Sequence, residues 1–251
     1  MSDGSKLIQV TNLVKTYHMG DVEVAALRGV DLNVLRGEFI AIVGPSGHGK
    51  STLLRLLLGF ETPEVGAIYY DDQDLSRIDV VAVRQQLGVV LQQSTITAST
   101  LFENIAAGGL ITLDEAWQAA EDAGLAEDIA AMPMGMHTLM SEGGRTLSGG
   151  QRQRLLIARA LVRKPAILLF DEATSALDNR NQDIVTASLE RLRATRVVIA
   201  HRLSTVRYAD RIYVVENGRI IQQGTFAELA CQDGLFAQLI AHQEAEFSAP
   251  A

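Results

Sequence analysis

A strand, a glycine-rich loop and a helix follow one another without a break between Glu38 and Leu58. The segment EFIAIV is apolar after its first residue, GPSGHGKS follows it, and KSTLLRLLL has the composition of a helix. A short apolar run bounded by turn residues is typical of a strand that is buried on both faces. The segment therefore predicts a mainly parallel sheet covered by helices, and this constrains the fold of the whole chain.

The rest of the chain extends this α/β pattern in two different ways. Residues 7–35 alternate β-like segments with glycines and predict an antiparallel part near the N-terminus. Residues 211–222 have Asn217-Gly218 between two β-rich arms and predict a hairpin. Further buried strands are predicted at LGVVL (87–91), AILLF (166–170) and RVVIA (196–200).

A helical insertion is predicted in the middle of the chain. Residues 113–123 and 126–132 have helical composition and are separated by Gly124, and no strong strand pattern occurs between about residues 95 and 163. We expect a single domain over residues 1–251. Its α/β core would span 1–92 and 164–251, include the antiparallel part, and carry a helical subdomain at about 93–163.

Composition excludes several classes of protein. The chain has 251 residues, of which 22 are Lys or Arg and 30 are Asp or Glu, so the formal net charge is −8. This acidic balance argues against a general nucleic-acid binder. The lone cysteine, Cys231, excludes an internal disulfide framework and fits a reducing compartment. The apolar runs are far shorter than the ~18 residues that a membrane span needs, and no signal-peptide core follows Met1.

The glycine-rich loop has the spacing of a phosphate-binding loop, G-x-x-x-x-G-K-[ST]. Glycines let successive backbone N–H groups converge on phosphate oxygens, and the following helix directs its positive end at the same anions. Lys50 is expected to reach the β- and γ-phosphates, and the Ser51 hydroxyl to ligate Mg²⁺. The residues of the loop are Gly44, Pro45, Ser46, Gly47, His48, Gly49, Lys50 and Ser51.

Two acidic residues follow the predicted strand AILLF. Asp171 and Glu172 stand at the strand's carboxyl end, where open α/β sheets bind their ligands. We expect Asp171 to hold Mg²⁺ through water, and Glu172 to polarise the attacking water as a general base. An ordinary acidic pair at a strand end is the competing interpretation.

The segment LSGGQ at 147–151 lies between the phosphate loop and the acidic pair in the sequence. Three motifs in this order give a highly specific resemblance to one family of proteins. With these motifs the chain resembles the ATPase subunit or domain of ABC transporters over nearly its whole length. The resemblance implies a P-loop NTPase fold of the ABC type and Mg²⁺-dependent hydrolysis of ATP.

The LSGGQ segment also has its own physical meaning. Ser148 is a good N-cap residue, and Gly149 and Gly150 expose backbone N–H groups at the start of a helix, which makes a second phosphate-binding terminus. Two such termini in one chain suggest that two copies meet head to tail. Each ATP would then lie between the phosphate loop of one copy and Ser148–Gln151 of the other, as the family resemblance also implies.

The resemblance assigns roles to further residues. It implies that Gln92 contacts the metal and the attacking water, that His201 contacts the γ-phosphate and steadies Glu172, and that Tyr17 stacks on adenine. A tyrosine in a β-rich region is otherwise a core or surface residue. The resemblance adds Thr52 and Asp178 to the ATP site, the latter in a loop (175–178) that passes between the two sites.

A short acidic turn before LSGGQ suggests where a membrane partner binds. Residues 141–144 (SEGG) resemble the loop with which exporters contact the coupling helices of their membrane domain, although an exposed acidic turn is the competing interpretation. The resemblance favours export. It implies a transmembrane domain or permease subunit as partner, and a peripheral location at the cytoplasmic face of the cell membrane.

Two features depart from the family pattern. His48 stands where a small residue is usual, so its imidazole either points to solvent or contacts the phosphates and adds a pH dependence. The first ~45 residues resemble ATPase subunits of lipoprotein-release and macrolide-efflux systems, whereas the remainder resembles ATPase domains of bacteriocin or peptide exporters. This mosaic fits a free subunit, an excised domain or a recombined chain.

Two other functions share parts of this motif set. A soluble ABC-type ATPase, for example in iron–sulfur assembly, would share the motifs, but DNA-repair types add coiled coils or zinc modules that this sequence lacks. A non-hydrolysing ATP-gated module predicts the loss of Glu172 or His201, and both residues are present.

Overall fold

The computed structural model describes residues 5–20, 22–173, 177, 179–192, 194–200 and 202–248. It divides into two compact units, the first formed by Met1–Arg84 with Thr195–Ala251 and the second by Gln85–Ala194. The second unit contains the whole predicted helical subdomain, 93–163, together with flanking segments. The subdomain boundaries themselves stay a prediction.

The strands of the described residues are β1 (Lys6–Met19), β2 (Val22–Leu35), β3 (Phe39–Val43), β4 (Val65–Tyr70), β5 (Gln73–Asp74), β6 (Leu87–Val90), β7 (Ile167–Asp171), β8 (Thr195–Ile199), β9 (Arg211–Glu216) and β10 (Arg219–Gly224). The α-helices are α1 (Lys50–Leu57), α2 (Val80–Gln85), α3 (Leu101–Ala106), α4 (Leu113–Asp122), α5 (Ala126–Ala130), α6 (Gly149–Leu161), α7 (Asn179–Leu192), α8 (Leu203–Val206), α9 (Phe226–Ala230) and α10 (Leu235–Ser248).

The first unit contains an antiparallel sheet, as the alternating N-terminal pattern predicted. Strands β1 and β2 pair over nearly their whole length, and β4 and β5 extend the sheet in the order β2-β1-β4-β5. Residues of β1 and β2 that face the core, such as Leu13 and Leu27, are fully buried. The predicted antiparallel part is therefore confirmed.

Parallel strands form the second sheet region of the first unit. Strand β3 pairs in parallel with β8 on one side and β9 on the other, and all five residues of β3 are buried. Burial on both faces explains why this strand is continuously apolar. The predicted hairpin is present as β9 and β10, and its turn residues Asn217 and Gly218 have φ angles of 49° and 75°, as a primed two-residue turn requires.

The second unit combines a strand pair with helices. Strands β6 and β7 run parallel, with Leu87 opposite Ile167. The predicted helical segments form α4 and α5, separated by Gly124 with a φ of 68°. Residues 95–163, all of which are described, contain no strand beyond one bridge between Thr100 and Leu139. The mixed sheets with parallel strands and helices confirm the predicted α/β class.

Several helices start at a capping box that is visible in the sequence. In each, a Thr or Ser side chain accepts from the N3 backbone N–H, while the N3 Glu or Gln side chain accepts from the N-cap backbone. The pairs are Thr100–Glu103, Thr112–Glu115, Ser148–Gln151 and Thr225–Glu228. Because the carboxylates accept these bonds, the pKa values of Glu103, Glu115 and Glu228 are lowered. Among the described helices none is both long and apolar enough to cross a bilayer.

Gly88 of β6 gives a test of core packing. A Cβ atom at this position would lie 2.5 Å from the carbonyl oxygen of Ala160 and 2.6 Å from Leu168 Cδ2. We expect Gly88→Ala to lower the free energy of unfolding by about 1–3 kcal/mol through overpacking, measured by urea denaturation. Gly149→Ala is the matched control, because no atom lies within 4 Å of its added Cβ. Equal midpoints for the two variants would contradict the packing argument.

Candidate functional site

The glycine-rich loop connects β3 to α1 in the first unit, as predicted. Its lysine, Lys50, is 5% exposed and donates from Nζ to the carbonyl oxygens of Gly44 (2.7 Å) and Pro45 (2.8 Å). The N-cap of α1 is Gly49, whose φ is 99° and which has no side chain to cap the helix. The first turn, which includes Ser51 and Thr52, therefore presents its positive helix end without a side-chain cap.

Two glycines let this loop pass close to neighbouring backbone. Gly44 has a φ of 145°, and a Cβ atom there would overlap the carbonyl oxygen of Val215 in β9. A Cβ atom on Gly49 would overlap the carbonyl oxygen of Ala26 in β2. Neither position has room for a side chain, so packing as well as phosphate binding requires glycine here.

His48 contacts the turn of the β9–β10 hairpin. Its Nδ1 accepts from the backbone N–H of Asn217 at 3.0 Å, and its carbonyl oxygen accepts from the N–H of Gly218 at 3.2 Å. An imidazole that accepts at Nδ1 has its hydrogen on Nε2. The side chain therefore has a protein partner, which neither of the two sequence-based interpretations included.

Tyr17 lies on β1 and is half-buried. Its hydroxyl donates to Glu61 Oε2 at 2.6 Å, and Lys15 Nζ lies 5.6 Å from the centre of its ring. Burial raises the pKa of Tyr17, and the hydrogen bond to Glu61 raises it further. Sequence reasoning did not identify Glu61, which belongs to no motif and lies 44 positions along the chain from Tyr17.

The acidic pair of the second unit stands where β7 ends. Asp171 is the last residue of the strand and is 5% exposed, whereas Glu172 follows it, half-buried. Glu172 has a φ of 55°, which is uncommon for a residue other than glycine and frequent at functional sites. In the same unit, Gln92 is exposed in the turn after β6, where the Leu91 N–H donates to Ser94 Oγ at 3.0 Å.

The LSGGQ segment starts helix α6 with a capping box. Ser148 Oγ accepts from the Gln151 N–H at 3.2 Å, and Gln151 Oε1 accepts from the Ser148 N–H at 3.0 Å. The Gln151 amide also donates to Asp128 Oδ1 at 2.7 Å, and Arg154 donates to Asp128 Oδ2 at 2.6 Å. These bonds fix the Gln151 side chain inside the unit, while Ser148, Gly149 and part of Gly150 face solvent.

A cleft lies beside the predicted partner-binding turn of the second unit. It has a volume of about 940 Å³ and is lined by residues 95–98, Ser141, Glu142, Gly143, Arg145 and Arg152. The two chain segments are tied together, since the Gly143 N–H donates to the Ile96 carbonyl at 2.9 Å. Two predicted site residues, Asp178 and His201, lie outside the described residues.

The chain is similar in sequence to several known proteins. A sequence profile of the family described as ABC transporter matches residues 27–175. The chain is 44% identical over 235 residues to an ATP-dependent lipid A-core flippase of Chromohalobacter salexigens, covering 92% of this chain and 41% of the flippase. It is 45% identical over 217 residues to the alpha-hemolysin translocation ATP-binding protein HlyB of Escherichia coli O157:H7, covering 85% and 31%.

A solved structure is similar over the full chain. The structure of a bacterial Atm1-family ABC exporter with ATP bound matches with a TM-score of 0.91 and 39% identity, covering 100% of this chain and 43% of that one. The chain thus spans less than half the length of these relatives. Their names confirm the predicted resemblance to exporters and do not favour the soluble alternative. The separate resemblance of the first 45 residues is not tested and stays a prediction.

The contacts of His48 give a test that separates anchoring from phosphate binding. We expect His48→Ser to lower the free energy of unfolding by about 1 kcal/mol, because one hydrogen bond to Asn217 is lost. His48→Asn, whose amide oxygen can also accept, should restore it. The KM for ATP should rise by less than about threefold, measured by phosphate release. A tenfold rise in KM with unchanged stability would instead show that the imidazole contacts the phosphates. The control is His18→Ser, because His18 is a largely exposed histidine.

Proposed function

This chain belongs to the ABC transporter family, and from that premise we propose that it binds and hydrolyses ATP to power export through a membrane partner. The observation that carries the proposal is the loop from Gly44 to Ser51. It lies between a buried parallel strand and an uncapped helix, and its own carbonyl oxygens hold the Lys50 ammonium group. The similar exporter structure with ATP bound supports the same ligand.

The phosphate loop provides the binding energy for the triphosphate. Its backbone N–H groups and the positive end of α1 attract the phosphate oxygens, and the Nζ of Lys50 adds a full positive charge. The carbonyl oxygens of Gly44 and Pro45 hold this ammonium group beside the loop. Since the lysine is positioned before the ligand binds, less side-chain entropy is lost on binding.

Magnesium is the cation that the proposed ligand set fits. The Ser51 hydroxyl, the Gln92 amide oxygen and the Asp171 carboxylate are all oxygen donors, which Mg²⁺ prefers, and one or two protein ligands are enough when phosphates supply others. The buried Asp171 carboxylate at the end of β7 supports this assignment. When bound, the cation would neutralise charge on the β- and γ-phosphate oxygens.

Glu172 is proposed as the general base. Its carboxylate follows directly after Asp171, and its left-handed backbone conformation turns the chain sharply at this point. The group would accept hydrogen bonds from the attacking water and orient it toward the γ-phosphate. Asp178 and His201 remain assigned to the ATP site by family resemblance.

The state in which ATP is hydrolysed is proposed to be a head-to-tail dimer. The exposed start of α6 is a second helix terminus whose backbone N–H groups suit an anion. The Ser148 oxygen accepts within the cap, so its hydroxyl proton is available for a phosphate of the other copy. ATP would thus hold two chains together until hydrolysis weakens the contact.

A membrane-embedded domain or permease subunit is the proposed second partner. The cleft beside Ser141–Gly143 has room for a short helical segment and carries both acidic and basic residues, Glu142, Arg145 and Arg152, at its rim. With such a partner, the chain would lie at the cytoplasmic face of the membrane. The transported substrate would be selected by the membrane-embedded part.

Replacing Glu172 by Gln tests the general base. We expect the hydrolysis rate to fall by about 10²- to 10⁴-fold, because the amide does not accept the proton, while ATP affinity changes little. Phosphate release and equilibrium binding measure the two effects. Glu190→Gln, at an exposed position of α7, should behave as wild type. A Glu172→Gln protein that hydrolyses ATP at the wild-type rate would remove Glu172 from the mechanism.

Mixing two inactive variants tests the shared site. Lys50→Ala disables the phosphate loop and Ser148→Arg blocks the start of α6, so each variant alone should be inactive. In a head-to-tail dimer, a mixed pair has one site with both elements intact. Random pairing at equal concentrations should therefore restore about a quarter of the wild-type rate. A mixture as inactive as its components would indicate that one chain contributes both elements of each site.

A further inference from the structure

Glu61 lies at the centre of a polar cluster outside every motif of the sequence. It belongs to the segment between α1 and β4, and its side chain is only 17% exposed. Its carboxylate accepts from the Tyr17 hydroxyl at 2.6 Å and lies 3.9 Å from Lys15 Nζ and 3.6 Å from Arg55 Nε. A carboxylate with three polar neighbours is strongly fixed in position.

The neighbours of Glu61 come from two elements that flank the proposed nucleotide site. Lys15 and Tyr17 belong to β1, whereas Arg55 belongs to α1, the helix that follows the phosphate loop. Thr52, also in α1, is close enough to the Tyr17 hydroxyl to lower its pKa, which places the hydroxyl beside the same helix. The cluster therefore sets the distance between the ring of Tyr17 and the phosphate loop.

Further bonds brace the same strand segment. Lys15 Nζ donates to the Thr62 carbonyl at 3.2 Å, and the Thr16 N–H donates to Glu64 Oε1 at 3.1 Å. Three successive residues of β1 are thus held by the segment that contains Glu61. The backbone of Tyr17 is held by its pairing with Val24 of β2, so the remaining freedom of its ring is rotation about the side-chain bonds. The hydroxyl bond to Glu61 restricts that rotation.

The protonation state of Tyr17 supports the same arrangement. Burial and the neighbouring Glu61 carboxylate both raise the pKa of the hydroxyl, so it keeps its proton and remains a donor. Lys15 Nζ, 5.6 Å from the ring centre, lies over one face. A planar base would then stack on the opposite face.

We propose that Glu61 is a positioning residue that fixes the ring of Tyr17 as the stacking platform for the nucleotide base. The inference deepens the proposed function and rests on it. Because ring order is established before the nucleotide binds, the base contributes more to affinity than it would against a freely rotating ring. The contribution of Glu61 is therefore specific to ligands that carry a base.

A base-free ligand separates this role from general support of the fold. Affinities for Mg-ATP and for Mg-tripolyphosphate are to be measured by competition calorimetry on the full chain. We expect Tyr17→Phe and Glu61→Ala each to weaken ATP binding by about 3- to 10-fold, while tripolyphosphate affinity stays within about twofold. Glu61→Gln, whose amide oxygen still accepts, should retain the affinity of the wild type for ATP.

The double variant gives the sharpest test. If the two side chains act through their shared hydrogen bond, Tyr17→Phe combined with Glu61→Ala should bind ATP no more weakly than either single variant. Effects that multiply, or an equal loss for ATP and tripolyphosphate, would overturn the proposal. A lower melting temperature with an unchanged ratio of the two affinities would also overturn it, since Glu61 would then only support the fold.

The outcomes of this binding experiment also separate the inference from the proposed function. Wild-type protein that binds neither ligand would overturn both. If the wild-type protein binds both ligands and the Glu61 variants have the same ratio of the two affinities, only the positioning role would be overturned. Glu23→Ala removes the same charge from a side chain that is 72% exposed, and should leave both affinities unchanged.

Discussion

The close approach of backbone to backbone around the phosphate loop is the constraint on which the first unit depends. Gly44 lies against Val215 of β9, and Gly49 lies against Ala26 of β2, with no room for a Cβ atom at either contact. The loop is thereby held between β9 and β2 and does not extend freely into solvent. Such packing transmits a fixed shape to the loop, which is what a site for a multiply charged ligand needs.

The hairpin turn adds a second layer of support to this loop. Gly218 donates to the His48 carbonyl, and its own carbonyl accepts from the Arg28 N–H at 2.8 Å. The turn thus links β2 to the phosphate loop through two backbone bonds, and the His48 imidazole adds a third contact. The net charge of −8 is compatible with the proposed binding of a polyanion, because these local dipoles and Lys50 determine the potential at the loop, whereas distant surface charges are screened.

The features that are predicted well from the sequence are formed by residues that lie close together along the chain. The phosphate loop, the Asn217-Gly218 hairpin and the Ser148–Gln151 cap depend on spacings of a few positions, and each is present. Helix α7 belongs to no motif and was not predicted, although its sequence has apolar residues at helical spacing, of which Val185 and Leu189 are buried. The Tyr17–Glu61 and His48–Asn217 contacts join residues 44 and 169 positions apart, and only folding brings such residues together. No local pattern distinguishes Glu61 from an ordinary surface carboxylate.

The two glycine-rich helix starts differ in a way that fits the two proposed anion contacts. Helix α1 begins at Gly49, which offers no side-chain cap, so the N–H groups of its first turn are left for an anion to bind. Helix α6 begins at Ser148, whose oxygen already accepts from the N3 backbone while Gln151 is held by Asp128. The α6 terminus is therefore stable without a ligand and has less to gain from one. A strongly binding terminus on α1 and a weaker one on α6 would let ATP stay with one chain while the other copy binds and dissociates.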